Sequence, residues 1–363
     1  MTNEPRLERS FGLDAVRALA ISFVLIAHFA YKYEHFGFWG VEMFFALSGY
    51  LIGQILWKSF SSQDSWSFSL MKNFWSRRWW RTLPNYYLFL VIMIFFHAYM
   101  SGHFIDFAKL SKFLWFGQNL FSRDGSFFGV SWSLCIEEWF YLLFPLLLFA
   151  VGRLKLGKKA SFIITLVIFF VFSLLMRQHM INSGVGHSVR GITFARLDSI
   201  SFGVMVAFAV SVCSLKRRIL QFGLAIVGGF LLIGCYYAVY FSGQSYEQIK
   251  ESQFVLTCTP LSFALMIPFF ENIKATNSRI VNDWVLKMSL WSYSIYLSHI
   301  PVLFLVYELL EFMRDSTLGN LFSKVVGLMV SIGFSGFIFK YFEVLIMKKR
   351  PKDLTKNFNK GPR

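Results

Sequence analysis

Leu13–Ala30 reads LDAVRALAISFVLIAHFA, and this stretch decides the class of fold. It is long and apolar enough to cross a bilayer as a helix of roughly 20 residues, yet it carries Asp14, Arg17 and His28. At about 100° per residue, the step from Arg17 to His28 overshoots three turns by roughly 20°. The two side chains therefore share one stripe, about 16 Å apart along the axis. Asp14 precedes Arg17 by one turn and is within i,i+3 reach of it. Ionisable groups in a membrane helix are costly and normally face a cavity or a protein interior. The stripe reads as the wall of a channel carrying titratable groups.

The composition extends that reading to the whole chain. Of 363 residues, 56% are hydrophobic, 15% are charged and 45 are phenylalanine. A soluble domain of this size could not bury so much apolar surface, which makes a polytopic membrane protein the economical answer. The start, MTNEPRLERSFG, mixes acids and bases and lacks the n-region of a signal peptide, so the first span is read as retained. The net charge of +16 is scattered over short loops rather than gathered on a face, and no nucleic-acid partner is expected. Cys135, Cys213, Cys235 and Cys258 form no close pair and lie in apolar stretches, which argues against a disulfide framework or a metal site.

Ten spans are predicted, at about 13–32, 38–57, 84–101, 128–150, 161–177, 193–213, 219–241, 253–271, 286–308 and 320–345, in an all-α polytopic membrane protein. An even number puts both ends on one face. Loops and tails on that face then hold 24 of the 36 lysines and arginines, against eight in the opposite loops, which predicts cytoplasmic termini. The expected organisation is a cytoplasmic N-terminus (1–12), a transmembrane domain (13–345) and a basic, disordered cytoplasmic tail (346–363), with no soluble domain appended and no internal repeat. Residues 102–127 alternate aromatic and polar side chains and read as an interfacial segment.

Depth along the spans brings chemistry-bearing residues to one layer. His28 lies about 22 Å from the inner end of its span, Glu137 and Glu138 about 18–20 Å, and His299 about 20 Å. Asp198 sits near the outer end of span six beside Arg196, a pair expected to be a structural ion pair. A histidine at that depth can accept a proton from a hydroxyl, with a carboxylate orienting the ring. At the inner mouth, FWSRRWWRTLPNYY places Arg77, Arg78 and Arg81 just before span three, with Pro84 near the helix start. Arginines bind phosphate through paired donors and the tryptophans can stack on a base, so an anionic, nucleotide-bearing donor fits there. The same arginines also suit anchoring to anionic lipid.

In combination these groups resemble the acyltransferase 3 family, bacterial integral-membrane O-acyltransferases of surface glycans. The resemblance runs over about 8–345 and includes Arg17 and His28 at the family's first motif spacing, and Glu42 in GFWGVEMFFALSGYLI. It continues through Arg77, Arg78, Arg81 and Pro84 to Ser131, Trp132, Ser133, Leu134, Glu137, Phe140 and Tyr141. ARLDSISFG and WSYSIYLSH, with Arg196, Asp198, Gly203, Tyr293, Tyr296, Leu297 and His299, complete it. The chain departs from the family where a Glu-x-Pro is usual: Glu343 is followed by Val344 and Leu345, and no role is assigned to it.

The resemblance implies a multi-pass protein of the bacterial inner membrane that moves an acetyl or other acyl group from cytoplasmic acyl-coenzyme A to a hydroxyl. The acceptor it implies is a surface glycan or lipid-linked oligosaccharide, as in O-antigen, capsule or exopolysaccharide. Membrane lipid and separate polysaccharide-assembly proteins are the other expected partners, with no permanently bound cofactor. His28, Glu137 and Arg17 are the expected catalytic set, with Glu137 orienting His28 in one continuous pore. Arg77, Arg78 and Arg81 are expected to bind the donor, with Asp14, Glu42, Glu138, Arg196, Asp198 and His299 in support. The residues fit a covalent relay through His28 as well as direct transfer. Trp132 and Tyr141 read as packing, and His35, His97, His103, His179 and His187 as outer-surface residues without a role. The competing reading is a proton-coupled exporter or flippase of a glycan or lipid-linked precursor, using His28, Glu137 and Asp198 as a relay.

Overall fold

Serine hydroxyls start several of the long helices, each satisfying a backbone N–H that the first turn leaves without an intrahelical partner. Ser10 caps α1 (Phe11–Phe29) by accepting from Leu13 N, Ser67 caps α3 (Phe68–Ser101) through Leu70 N, and Ser278 caps α10 (Arg279–Leu309) through Val281 N. Gly102, at φ 73°, ends α3 in the left-handed conformation that glycine adopts without penalty. The remaining helices are α2 (Glu34–Ser61), α4 (Phe107–Leu114), α5 (Ser131–Gly152), α6 (Lys158–Asn182), α7 (Leu197–Val212), α8 (Arg218–Phe241), α9 (Gln253–Glu271) and α11 (Thr317–Ile338). The last of these continues through a π-helical turn, Phe339–Glu343, into Val344–Met347. This computed structural model describes residues 9–354 except 31–32, 63–65, 123–126, 185, 214–216, 242, 244–247, 249–250 and 314–315.

Among the described residues there is no strand, and nine helices are long and apolar enough to cross a membrane. Together they make a multi-pass membrane protein. The tenth predicted span is the exception. α7 has only 16 residues, about 24 Å of rise against a hydrocarbon core of about 30 Å. A short 3₁₀ helix, Gly186–Gly191, and a bond from Thr193 N to Asn119 O hold the chain just before it. α7 is apolar nearly all round because it sits inside the bundle.

α2 is the central helix, packed against α1 on one side and α7 on the other. Glycines set the second contact. A Cβ on Gly49 would overlap the Ile200 carbonyl, and one on Gly203 would overlap the Ala46 carbonyl and Tyr50 N, so the two backbones touch. α10 joins α1 to α11, while α8 lies against α9 at the periphery with large apolar side chains such as Phe230 and Ile233 exposed.

Three expectations need correction. α3 begins at Phe68, so Pro84 lies within a 34-residue helix and Arg77, Arg78 and Arg81 are on its shaft. The hydroxyls of Thr82 and Tyr293 bond the carbonyls of Arg78 and Thr82 in the turn leading to the proline, where the ladder is interrupted. Arg196 does not pair with Asp198. It reaches Glu42 of α2 at 2.6 Å, while Asp198 takes Arg177 of α6, also at 2.6 Å, and all four side chains are essentially without solvent exposure. A charge buried this deeply takes the partner that its helix neighbours present, not the one nearest in sequence. Arg177, assigned to a loop by the sequence, is thus inside α6. The tail is ordered as far as Leu354. Arg77 donates to Pro351 O at 2.8 Å, Asn73 donates to Lys352 O at 3.0 Å, and Asp353 lies 3.6 Å from Arg77. Residues 355–363 of that tail lie outside the described residues.

Candidate active site

The Asp14–Arg17 pair on α1 forms as its i,i+3 spacing predicts. Asp14 and Arg17 approach to 3.6 Å, and Ser289 of α10 bridges them, donating to Asp14 Oδ1 at 2.6 Å and accepting from Arg17 Nη1 at 3.2 Å. Arg9 holds Asp14 from the other side with two hydrogen bonds. With both its charge and its oxygens satisfied, Asp14 is a fixed support that aims Arg17 inward.

Arg17 lines a cleft between α1, α2, α3, α5 and α10. Arg78, Arg81 and Thr82 come from α3, Ser48 from α2, Ser133, Glu137 and Tyr141 from α5, and Ser292, Tyr293 and Tyr296 from α10. Glu137 accepts a hydrogen bond from Tyr141 at 2.9 Å, and the Tyr141 hydroxyl also bonds Ser48. The Arg78 guanidinium lies 5.7 Å from the Tyr141 ring centroid. Three guanidinium groups and one carboxylate thus face a shared void, an arrangement that suits an anionic ligand. Of the expected arginine mouth, Arg78 and Arg81 share this cleft with Arg17, while Arg77 does not line it and is engaged with Pro351 O and Asp353.

His28 is elsewhere. It does not line the cleft, and among the described residues no hydrogen bond links it to Glu137. Its partner is His299, with ring centroids 4.9 Å apart. The His299 Nδ1 lies 3.1 Å from the Ile295 carbonyl, which can only accept, so Nδ1 carries a proton. Nε2 is buried and has no partner, and in the neutral ring it keeps a free lone pair. The Tyr296 ring stands 6.0 Å from His299 and also lines the cleft. Its hydroxyl is fixed by Ser133 at 2.6 Å and by the Val130 carbonyl at 3.1 Å. Tyr296 thus lines the cleft and neighbours His299, while neither imidazole is among the lining residues, so the cleft does not include His28 as the expected single pore would. Glu137, expected to orient His28, is committed to Tyr141 and the arginines.

The other expected residues take supporting positions. Glu42, Arg196 and Asp198 form the buried ion pairs between helices. Glu138 is buried beside the cleft without lining it. Arg190, from the 3₁₀ segment, is clamped between the Phe38 and Trp132 rings at 4.8 and 4.9 Å, close enough for its charge to act on His28 and Tyr296. His103 and His179 are exposed, and His35 and His97 are half-buried.

Several site residues escaped the sequence reading. Tyr141 follows Glu137 by one helical turn, a spacing that would have revealed the pair. Glu343 is buried and accepts from Ser294 at 3.0 Å and Asn85 at 3.3 Å, because the π-turn rotates it inward. Arg350, just past the last helix, lies within range of the charges of Arg77, Arg78 and Arg81; burial and those three charges push its guanidinium down to about 9.

The profile of the acyltransferase 3 family, described as an acyltransferase domain, matches residues 10–340. The chain belongs to the acyltransferase 3 family. A Bacillus subtilis (strain 168) protein provisionally named a peptidoglycan O-acetyltransferase is 30% identical over 227 residues, 57% of this chain and 34% of that protein. The peptidoglycan O-acetyltransferase OatA of Listeria monocytogenes is 34% identical over 183 residues, 46% of this chain and 29% of that protein. A provisionally named O-acetyltransferase of Staphylococcus aureus (strain COL) is 30% identical over 210 residues, 54% of this chain and 34% of that protein. The chain spans about a third of the length of these relatives. No solved structure matches it. As a member of the acyltransferase 3 family, the chain uses an all-helical bundle as its acyltransferase domain.

Proposed function

We propose that this protein transfers an acyl group, acetyl in the first instance, from cytoplasmic acyl-coenzyme A to a hydroxyl of a cell-envelope glycan. The observation that carries this reading is the meeting of two groups at Tyr296. That ring lines a cleft with Arg17, Arg78 and Arg81, and it neighbours His299, which pairs with His28 and keeps a buried nitrogen without a partner. The lysines and arginines gathered near the arginine end of the cleft, Arg77, Arg78, Arg81, Lys348, Lys349 and Arg350, support a cytoplasmic orientation for it. The peptidoglycan and O-acetyl assignments of the relatives support an envelope glycan as acceptor.

In this reading the donor's phosphates rest against the α3 arginines and its thioester reaches up beside Arg17. The glycan hydroxyl arrives from the opposite face at His28. His28 takes the hydroxyl proton and the oxygen attacks the thioester carbonyl; the carbon–sulfur bond breaks, and the thiolate is protonated from the open cleft. His299, locked by Ile295, keeps the Nε2 lone pair free in a ring that neighbours His28, and a hydrogen bond from His28 to it in the reacting complex would set which His28 nitrogen faces the alcohol. This role replaces the one expected of Glu137, which instead holds Tyr141 at the donor. Tyr296, lining the cleft and next to His299, lies where the two substrates would meet. Fixing both partners in one dry site supplies the proximity contribution.

The test is envelope-glycan mass spectrometry in cells producing wild-type protein, His28→Ala, Arg17→Ala or His299→Phe at matched membrane levels. Loss of the acyl mass is expected for the first two and a fall of about 10- to 100-fold for the third. Wild-type acylation by His28→Ala overturns the mechanism. A change in glycan export with no change in covalent structure would favour a transporter.

A further inference from the structure

Just past its last helix the chain crosses back beneath α3. Residues 350–354 lie along the α3 turn that holds Asn73 and Arg77, tied by Arg77 to Pro351 O, by Asn73 Nδ2 to Lys352 O, and by Leu354 N to Asn73 Oδ1 at 3.4 Å. This strap carries Arg350 into the arginine cluster of the cleft mouth. Its Nε is buried and has no hydrogen-bond partner, and the charges of Arg77, Arg78, Arg81 and Asp353 all act on it. The acid on the strap, Asp353, is paired with Arg77.

The backbone orders the guanidinium groups along one track. Arg350 precedes Pro351, whose carbonyl accepts from Arg77; Arg78 and Arg81 follow Arg77 on α3 and line the cleft together with Arg17. The track therefore runs from Arg350, along α3, to Arg17 in the cleft. Like charges gathered along one track, with a buried donor unused, favour an anion among them. A donor whose thioester points toward Arg17 leaves its nucleotide end, with the ribose 3′-phosphate, at the rim.

We propose that Arg350 and the strap that carries it complete the donor site, with the Arg350 guanidinium binding the 3′-phosphate of the nucleotide on the acyl donor. The proposal rests on the acyl-coenzyme A reading above. It extends the site beyond the α3 arginines to a residue outside the membrane-spanning helices, and gives the strap the task of holding it there. Phosphate is the chemistry recognised, and an anionic lipid headgroup is the other source of it at a membrane rim.

Binding to purified full-length protein in nanodiscs separates these cases, with coenzyme A and 3′-dephospho-coenzyme A as probes. Wild-type protein is expected to bind coenzyme A at least about tenfold more tightly than the dephospho form. Arg350→Ala should abolish that preference by weakening coenzyme A alone, and Arg350→Lys should retain part of it. Unchanged dephospho-coenzyme A binding by Arg350→Ala shows that the variant is folded. A wild-type protein with no preference, or an Arg350→Ala protein that keeps it, overturns the proposal; the first result needs no variant. A preference that is absent with anionic lipid in the nanodisc and appears only when that lipid is left out assigns Arg350 to the headgroup in the membrane and also overturns it. Wild-type protein that binds neither probe fails at the earlier step and removes the coenzyme A donor itself.

Discussion

Removing Glu42 should cost more than removing both Glu42 and Arg196. The two side chains are fully buried, and the Glu42 Oε2–Arg196 Nη2 distance is 2.6 Å. After Glu42→Leu, the Arg196 guanidinium keeps only the Ser199 hydroxyl, bonded from Nε at 3.0 Å and from Nη2 at 2.8 Å, while Nη1 is already without a partner. An uncompensated charge of this kind costs about 3–5 kcal/mol, whereas replacing both partners with apolar groups of similar volume is often neutral or favourable. At about 2 °C per kcal/mol for a chain of this length, the single variant should melt about 6–10 °C below wild type. Glu42→Leu/Arg196→Met should recover most of that loss. The assay is thermal unfolding of detergent-purified protein, followed by the fraction that remains monodisperse on size-exclusion chromatography. If the double variant melts as low as the single or lower, the loss comes from packing at the α2–α7 contact and the uncompensated-charge argument fails.

Two further outcomes follow from geometry already described. Gly203→Ala pushes a methyl group into the Ala46 carbonyl and Tyr50 N, with flexible side chains unable to absorb the overlap, so a destabilisation of about 1–3 kcal/mol and a melting temperature lower by about 2–6 °C are expected. Ser289→Ala removes the bridge between Asp14 and Arg17 while leaving their charges in place; it should cost about 1 kcal/mol in stability and lower acyl transfer more than donor binding, measured as kcat against KM.

What could be read from the chain in advance followed from local rules. Membrane helices announce themselves by hydropathy, and the Asp14–Arg17 pair by i,i+3 spacing, because both are set within one helix. The cationic mouth was equally legible, since Arg77, Arg78 and Arg81 lie within five residues of one another on α3. The partners across helices were not. Arg196 sits two positions from Asp198, yet α2 and α6 supply the real counter-charges, and only the rotation of each helix decides that. Depth placed His28 and Glu137 in one layer, but depth is one coordinate of three, and the missing angle sends Glu137 to Tyr141 and His28 to His299. Glu343 was misjudged for another reason: a π-turn changes the phase of a helix, and periodicity arguments assume that phase is constant. The strap was hidden by its composition, because a basic, proline-containing tail reads as disorder until the arginine and asparagine that bind its carbonyls are seen.

Tyr296 also bears on the membrane around the enzyme. A catalyst that opens a void within a bilayer risks becoming a leak, since a water column from face to face would conduct protons and discharge the gradient on which the cell depends. Tyr296 stands in the cleft wall, pinned by a serine and a backbone carbonyl, and a ring held this firmly resists such a column. On the reading proposed above, insulation and chemistry meet at the same side chain, and any opening that passes an acyl group has to be brief.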